Sequence, residues 1–226
     1  MMRIARTAAA LVLWGWAIRA GAQPADSVHR AEQDREITYW LLDPARHQFR
    51  FAHDFNITRP GQTVAHSFVR AGSTVSEDIT FIDLDSGRRL KTRKISGAAV
   101  NALELYPEPS EPDSVVVEGA LLEPVPEGGS VRIRVIETYT DTERYRLQDG
   151  KLVWDRTLGR PRNTVMLPQG WMLTHCSTPA SVSEDAQGRI VLRLDNPRND
   201  ELHVVVRARR RPVSQSGRGD QGSSGF

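Results

Sequence analysis

A single cysteine, Cys176, stands among 226 residues. No internal disulfide can form, so the fold must be held by a hydrophobic core. Long apolar runs are missing too. The stretch 8–18 is shorter than the roughly 20 residues of a spanning helix, and Arg19 closes it. The common catalytic signatures are also absent: HExxH, G-x-S-x-G, G-x-x-x-x-G-K-[ST], G-x-G-x-x-G and CxxC. The expectation is therefore no catalytic, cofactor-binding or metal-ligating residue and no enzyme. An active site dispersed along the chain is the one enzymatic alternative, because triads are defined by geometry and not by spacing.

What is present begins with an address. Arg3 and Arg6, the apolar stretch and the small residues Ala20-Gly21-Ala22 follow the order of a secretory signal peptide over 1–22. Its removal takes three basic and no acidic residues from a chain with 30 Lys+Arg and 28 Asp+Glu, leaving a net −1. Five arginines lie beyond Val206 against one acid, Asp220, so the body before them stands at −5. A body of that sign disfavours nucleic acid as a partner. The basic run 207–211 reads as a strand end, and 213–226, rich in Ser and Gly, reads as a disordered tail. A periplasmic or secreted protein is expected, with no membrane-spanning segment after cleavage.

The body is written in short alternating or apolar runs bounded by Gly, Pro, Asn or Asp, the signature of strands. They fall at 36–42, 49–57, 62–69, 78–84, 115–121, 130–138, 144–147, 152–156, 171–176, 190–194 and 202–207. Only 98–105 offers a helical pattern. The prolines 107, 109 and 112 then suggest a connector over 107–114. The expected fold class is all-β, an antiparallel β-sandwich, in two tandem modules at 35–106 and 115–212 after a linker at 23–34.

Two turns can be read in detail. Asp149-Gly150 predicts a two-residue type I′ hairpin with Leu147 opposite Leu152, Tyr145 opposite Trp154, and Arg144 opposite Asp155 as an exposed ion pair. Pro60-Gly61 predicts a type II turn joining 49–57 to 62–69. If that turn closes a hairpin, His53 and His66 share a face. Two histidines do not make a zinc site without a third ligand, and none can be nominated. Asp83 and Asp85 before Gly87 read as a turn and not a calcium loop. Cys176, after His175, reads as a buried thiol, since strand neighbours point to opposite faces.

Aromatic residues are 7% of the chain, so each tryptophan left after leader removal, Trp40, Trp154 and Trp171, counts. The hairpin assigns Trp154 to a core. Trp171, which follows the turn at Pro168-Gln169-Gly170, and Trp40 are the candidates for ligand or partner contact.

The segment Tyr39-Trp40-Leu41-Leu42-Asp43-Pro44, with Phe49-Arg50-Phe51 and Gly61, resembles the β-rich N-terminal domain that precedes the catalytic domain of gluzincin aminopeptidases. The second half, with Leu158-Gly159-Arg160-Pro161-Arg162-Asn163 and Asp195-Asn196-Pro197, is similar to β modules of uncharacterised exported bacterial proteins. The zinc motif is absent, so the resemblance implies a fold and transfers no functional residue. The functional expectation is an exported, non-catalytic module that contacts another envelope protein. Polysaccharide binding is the alternative.

Overall fold

The computed structural model describes residues 34–69, 74–75, 79–106 and 109–212. The expected leader, most of the N-terminal linker, Pro107 of the connector and the expected tail lie outside the described residues.

Among the described residues the regular structure is almost entirely β-strand. In order these are β1 (Arg35–Leu41), β2 (Gln48–Ile57), β3 (Val64–Phe68), β4 (Thr74–Val75), β5 (Thr80–Asp83) and β6 (Thr92–Ser96). After a short helix α1 (Gly97–Asn101) come β7 (Val115–Ala120), β8 (Val131–Thr140), β9 (Tyr145–Gln148), β10 (Lys151–Leu158) and β11 (Arg162–Met166). The last four are β12 (Trp171–Cys176), β13 (Ser181–Glu184), β14 (Ile190–Asp195) and β15 (Leu202–Arg210). The helix is shorter than its sequence pattern, with Ser96 as N-cap bonding the Ala99 N–H.

One large sheet runs β13-β14-β11-β1-β2-β8, with β4 and β5 both paired to the far side of β8. Among the described residues its one parallel pairing is β1 with β11. Two smaller sheets cover its inner face: β12-β15-β10-β9 and β3-β7-β6. Alternation decides which residues point inward. Tyr39 pairs with Phe51, which pairs with Glu137; Ile37 pairs with His53, which pairs with Val135.

Each small sheet closes its own core against the large one. Tyr39, Leu41, Phe49 and Tyr139 pack on Leu152, Trp154, Val204 and Val206. Ile57, Ile133 and Val135 pack with Ala65, Phe81 and Val117. Each fully buried large side chain stabilises by about 1.5–3 kcal/mol. In the second core a Cβ on Gly119 would meet the Phe81 ring at 2.7 Å, so the ring fits because β7 carries glycine there.

The sandwich expectation holds in its class, but the two halves do not divide as tandem modules. β1 and β2 from the first half pair with β11 and β8 from the second, so both cores rest on one continuous sheet. Loop composition marked 107–114; long-range pairing, which leaves no local signal, joins the strands across it.

The two turns divide in the same way. At Asp149-Gly150 both residues have positive φ, and Leu147 faces Leu152 and Tyr145 faces Trp154, as predicted. The expected Arg144–Asp155 pair is replaced: Arg144 bonds Asp141 at 3.0 Å and Asp155 meets His203 at 2.7 Å. At Pro60-Gly61 the turn forms, with φ +76° at Gly61 and the Gln62 N–H on the Arg59 carbonyl. It does not close a hairpin, because β3 pairs with β7 in another sheet. Asp83 accepts from the Ser86 N–H and hydroxyl, making the turn read there.

Candidate functional site

Between the two small sheets a band of the large sheet's inner face stays open. It forms the floor of a cleft of about 580 Å³, lined by β1, β2 and β8 below and by residues of the two small sheets and their loops on either side. Cavities of several hundred Å³ with a few convergent polar groups are the usual form of a binding site.

Three floor residues break the apolar pattern of their strands. Arg35 opens R-x-I-x-Y-x-L in β1, His53 interrupts F-x-F-x-H-x-F in β2, and Glu137 interrupts V-x-I-x-V-x-E-x-Y in β8. All three line the cleft. A polar residue on an otherwise inward-facing apolar row was the available sequence signal for this site.

At one end the Arg160 Nε donates to His53 Nε2 at 3.3 Å, which fixes Nε2 as the acceptor. Burial lowers the His53 pKa to about 3, and the charges of Arg160 and Arg35 push the same way. His53 is therefore a neutral imidazole between two guanidiniums. Arg160 is set by the corner between β10 and β11, where the buried Asn163 donates to the Arg160 carbonyl at 2.7 Å. Burial also lowers the Arg35 pKa. The Arg35 guanidinium lies 6.0 Å from the Phe55 ring centre, and no carboxylate among the described residues pairs with it. Arg156, a third cleft arginine, is offset by Asp141 at 3.9 Å and stacks over Phe49 at 4.8 Å.

The facing wall holds a hydrogen-bonded chain. His66 Nε2 lies 3.2 Å from Glu118, whose other oxygen accepts from Arg93 Nε at 2.6 Å. With Nε2 donating, Nδ1 accepts from the Tyr106 hydroxyl at 3.1 Å. Burial keeps His66 below its ordinary value against the pull of Glu118. Burial would raise the Glu118 carboxyl, but Arg93 and His66 outweigh it and hold it low. Tyr106 is pushed up to about 12 by burial of its hydroxyl, although 39% of the residue remains exposed at the mouth. There it meets Phe68, 40% exposed, ring edge to ring face at 5.1 Å.

Glu137 is 3% exposed. The Ser67 hydroxyl donates to its Oε1, while Oε2 has no hydrogen-bond partner. Burial raises its carboxyl pKa, with the Ser67 and Tyr139 hydroxyls opposing.

The nominated contacts fare differently. Trp171 is 2% exposed, with the Arg210 guanidinium 4.7 Å above its ring, and belongs to the first core. The turn before it does not bring it to the surface, because β12 packs its first residue inward against the large sheet. Trp40 is half-buried on the sheet face opposite Tyr39, away from the cleft. His53 and His66 are brought to the same cleft from two different sheets and take Arg160, and Glu118 with Tyr106, as their partners. Among the described residues no group of three or more potential ligands could hold a metal ion. On β12 a register shift between Leu173 and His175 accompanies an exposed His175 and a half-buried Cys176.

No family model and no curated protein matches this chain. Among solved structures it is similar to an M1 zinc metallopeptidase from Deinococcus radiodurans, at 12% identity and a TM-score of 0.44 over 77% of this chain. An aminopeptidase N family protein from Idiomarina loihiensis is similar at 11% identity and a TM-score of 0.41 over 76%. The chain spans 41% of the first and 29% of the second. The likeness is to the class of peptidase that residues 39–61 resemble, and it is weak; at these scores it carries nothing about activity.

Proposed function

We propose that this protein is an exported, non-catalytic β-sandwich module of the cell envelope that works by binding a partner protein in the cleft between its two small sheets. The observation that carries the reading is the set of inward polar residues, Arg35, His53 and Glu137, on the floor of an open cleft whose mouth exposes Phe68 and Tyr106. A general acid or base works best with a pKa near the operating pH. His53 at about 3 and Tyr106 at about 12 are displaced in the opposite sense. Their hydrogen bonds fix orientation, which suits recognition. Sugar stacking loses its better candidate with Trp171 in the core.

The test is crosslinked affinity purification of the mature chain from its native envelope, beside an Arg35→Glu/Phe68→Ala variant and an Arg189→Ala control outside the cleft. A protein recovered by the wild type and control and lost by the cleft variant is the expected result. Recovery independent of the cleft overturns the assignment of the site, and an uncleaved cytoplasmic chain on N-terminal sequencing overturns export.

A further inference from the structure

We infer that the outer face of the small sheet β12-β15-β10-β9 docks on an anionic membrane surface through four cations, Arg146, Lys151, Arg207 and Arg209. The inference goes beyond the cleft reading and does not rest on it, because this face is the reverse of the one that closes the first core.

Register puts the four on one face. Residues directly opposite in an antiparallel ladder share a side of the sheet. Arg207 lies opposite Val153, which lies opposite Arg146. Arg209 and Lys151 stand two residues further in the same direction, so they keep that side. The residues between them, Leu152, Val206 and Ala208, point the other way into the first core. Strand spacing and rise put the four α-carbons within about 12 Å of one another.

These charges are also unmatched. Lys151, Arg207 and Arg209 are exposed and Arg146 is half-buried, donating to the Glu143 carbonyl. Among the described residues none of the four meets a carboxylate at ion-pair distance. Arginines of the other two sheets do find acids, as Arg93 does with Glu118, Arg134 with Asp54 and Arg189 with Asp185. Two acids border the patch. Asp155, in the next row, meets His203 at 2.7 Å, and Asp149 sits at the hairpin tip. The chain between the leader and Val206 carries a net −5, so this face inverts the charge of the molecule that bears it.

The kind of partner follows from what the face lacks. A protein interface is built around an aromatic or apolar centre with its charges at the rim. Among the described residues the exposed large apolar side chains, Phe68, Leu103, Tyr106, Val115, Leu147 and Val182, all lie off this face. Single-stranded nucleic acid uses aromatic platforms beside its cations, and no aromatic side chain stands in these rows. None of the four lines the cleft, so a single phosphate has no concave seat here. A flat array of point charges is complemented by a plane of phosphate headgroups. Such a surface binds by electrostatics without an apolar centre, and each Lys or Arg brought near it strengthens binding about fivefold.

The experiment is co-sedimentation of the chain from Gln23 onward, which contains every described residue. The vesicles are phosphatidylcholine alone or phosphatidylcholine with about 30% phosphatidylglycerol. The anionic vesicles should bind at least about tenfold more tightly, a difference that falls as salt screens the charges. Arg207→Gln/Arg209→Gln should weaken that binding about 25-fold, two steps of fivefold. Arg146→Gln/Lys151→Gln should weaken it alike from the neighbouring strands, so one poorly folded variant does not decide the outcome. Lys91→Gln/Lys94→Gln removes the same charge from exposed positions on or beside β6 and should bind like the wild type. Equal binding to the two vesicle types, no binding to either, or the same loss from the Lys91/Lys94 pair overturns the inference. Displacement by inorganic phosphate beyond that of chloride at equal ionic strength overturns it in favour of single phosphate ions. An RNA oligonucleotide held as tightly, with the same dependence on Arg207 and Arg209, overturns it in favour of nucleic acid.

Discussion

A single imidazole carries one of the clearest chemical signatures of the cleft. His53 titrates near 6.5 in the unfolded chain and at about 3 in the folded one. The unfolded state therefore binds a proton that the native state refuses across that interval. The stability contributed by neutral His53 is fully present above about pH 6.5 and is lost as pH falls towards 3, with a slope near 1.4 kcal/mol per pH unit for one proton. His53→Gln removes the titration, so the difference between the two proteins in urea unfolding should flatten the acid limb by about that slope. Parallel curves would mean that His53 is solvated and not held between Arg160 and Arg35. The tryptophans give a second residue-scale test. Trp171→Ala empties a buried site and should cost about 3–5 kcal/mol, while Trp40→Ala, at a half-buried site, should cost about 1 kcal/mol. A neutral Trp171→Ala in the same unfolding series would return that ring to the list of contact residues.

At the scale of elements, alternation and turn chemistry made most strands and the Asp149-Gly150 register legible. β11 was not, for a physical reason. Its residues Arg162–Met166 are bracketed by Pro161 and Pro168, and its central place comes from pairing parallel to β1 on one side and antiparallel to β14 on the other. That partnership spans more than a hundred residues and writes nothing into the five. The cleft was half legible: Arg35, His53 and Glu137 stand out as polar breaks in apolar rows, but Tyr106 and Arg160 lie in loops whose position only the assembled sheets decide. Asn163 joins the two scales, since its amide holds the Arg160 carbonyl at the corner between β10 and β11. Asn163→Ala should therefore cost about 1–3 kcal/mol by leaving that part-buried carbonyl with one partner fewer. It should also weaken cleft-dependent recovery of the partner protein, because Arg160 loses its anchor. Unchanged unfolding and unchanged recovery would show that the corner is held by its strands alone.

At the scale of the molecule, the shared sheet makes the two cores one structure. β2 gives Phe49 to the first core and Ile57 to the second; β8 gives Tyr139 to the first and Ile133 to the second. Neither core can be unfolded without stripping strands from the other, because the large sheet is continuous through β1, β2 and β8. A deletion at the proline-rich connector would leave β1 and β2 without their ladders to β11 and β8, so residues 34–106 alone should show no cooperative transition. In the full chain, Phe81→Ala in the second core and Leu192→Ala in the first should each cost about 2–5 kcal/mol. Tryptophan fluorescence reports the first core, which holds Trp154 and Trp171, and far-ultraviolet dichroism reports all the strands. If the sheet couples the cores, both variants shift both signals along one common urea curve. Phe81→Ala would then move the fluorescence midpoint although no tryptophan lies in its core. A fluorescence midpoint that stays in place while dichroism splits into two steps would mean that the cores unfold separately, and that the cleft between them is a boundary that opens and not a fixed seat for a ligand.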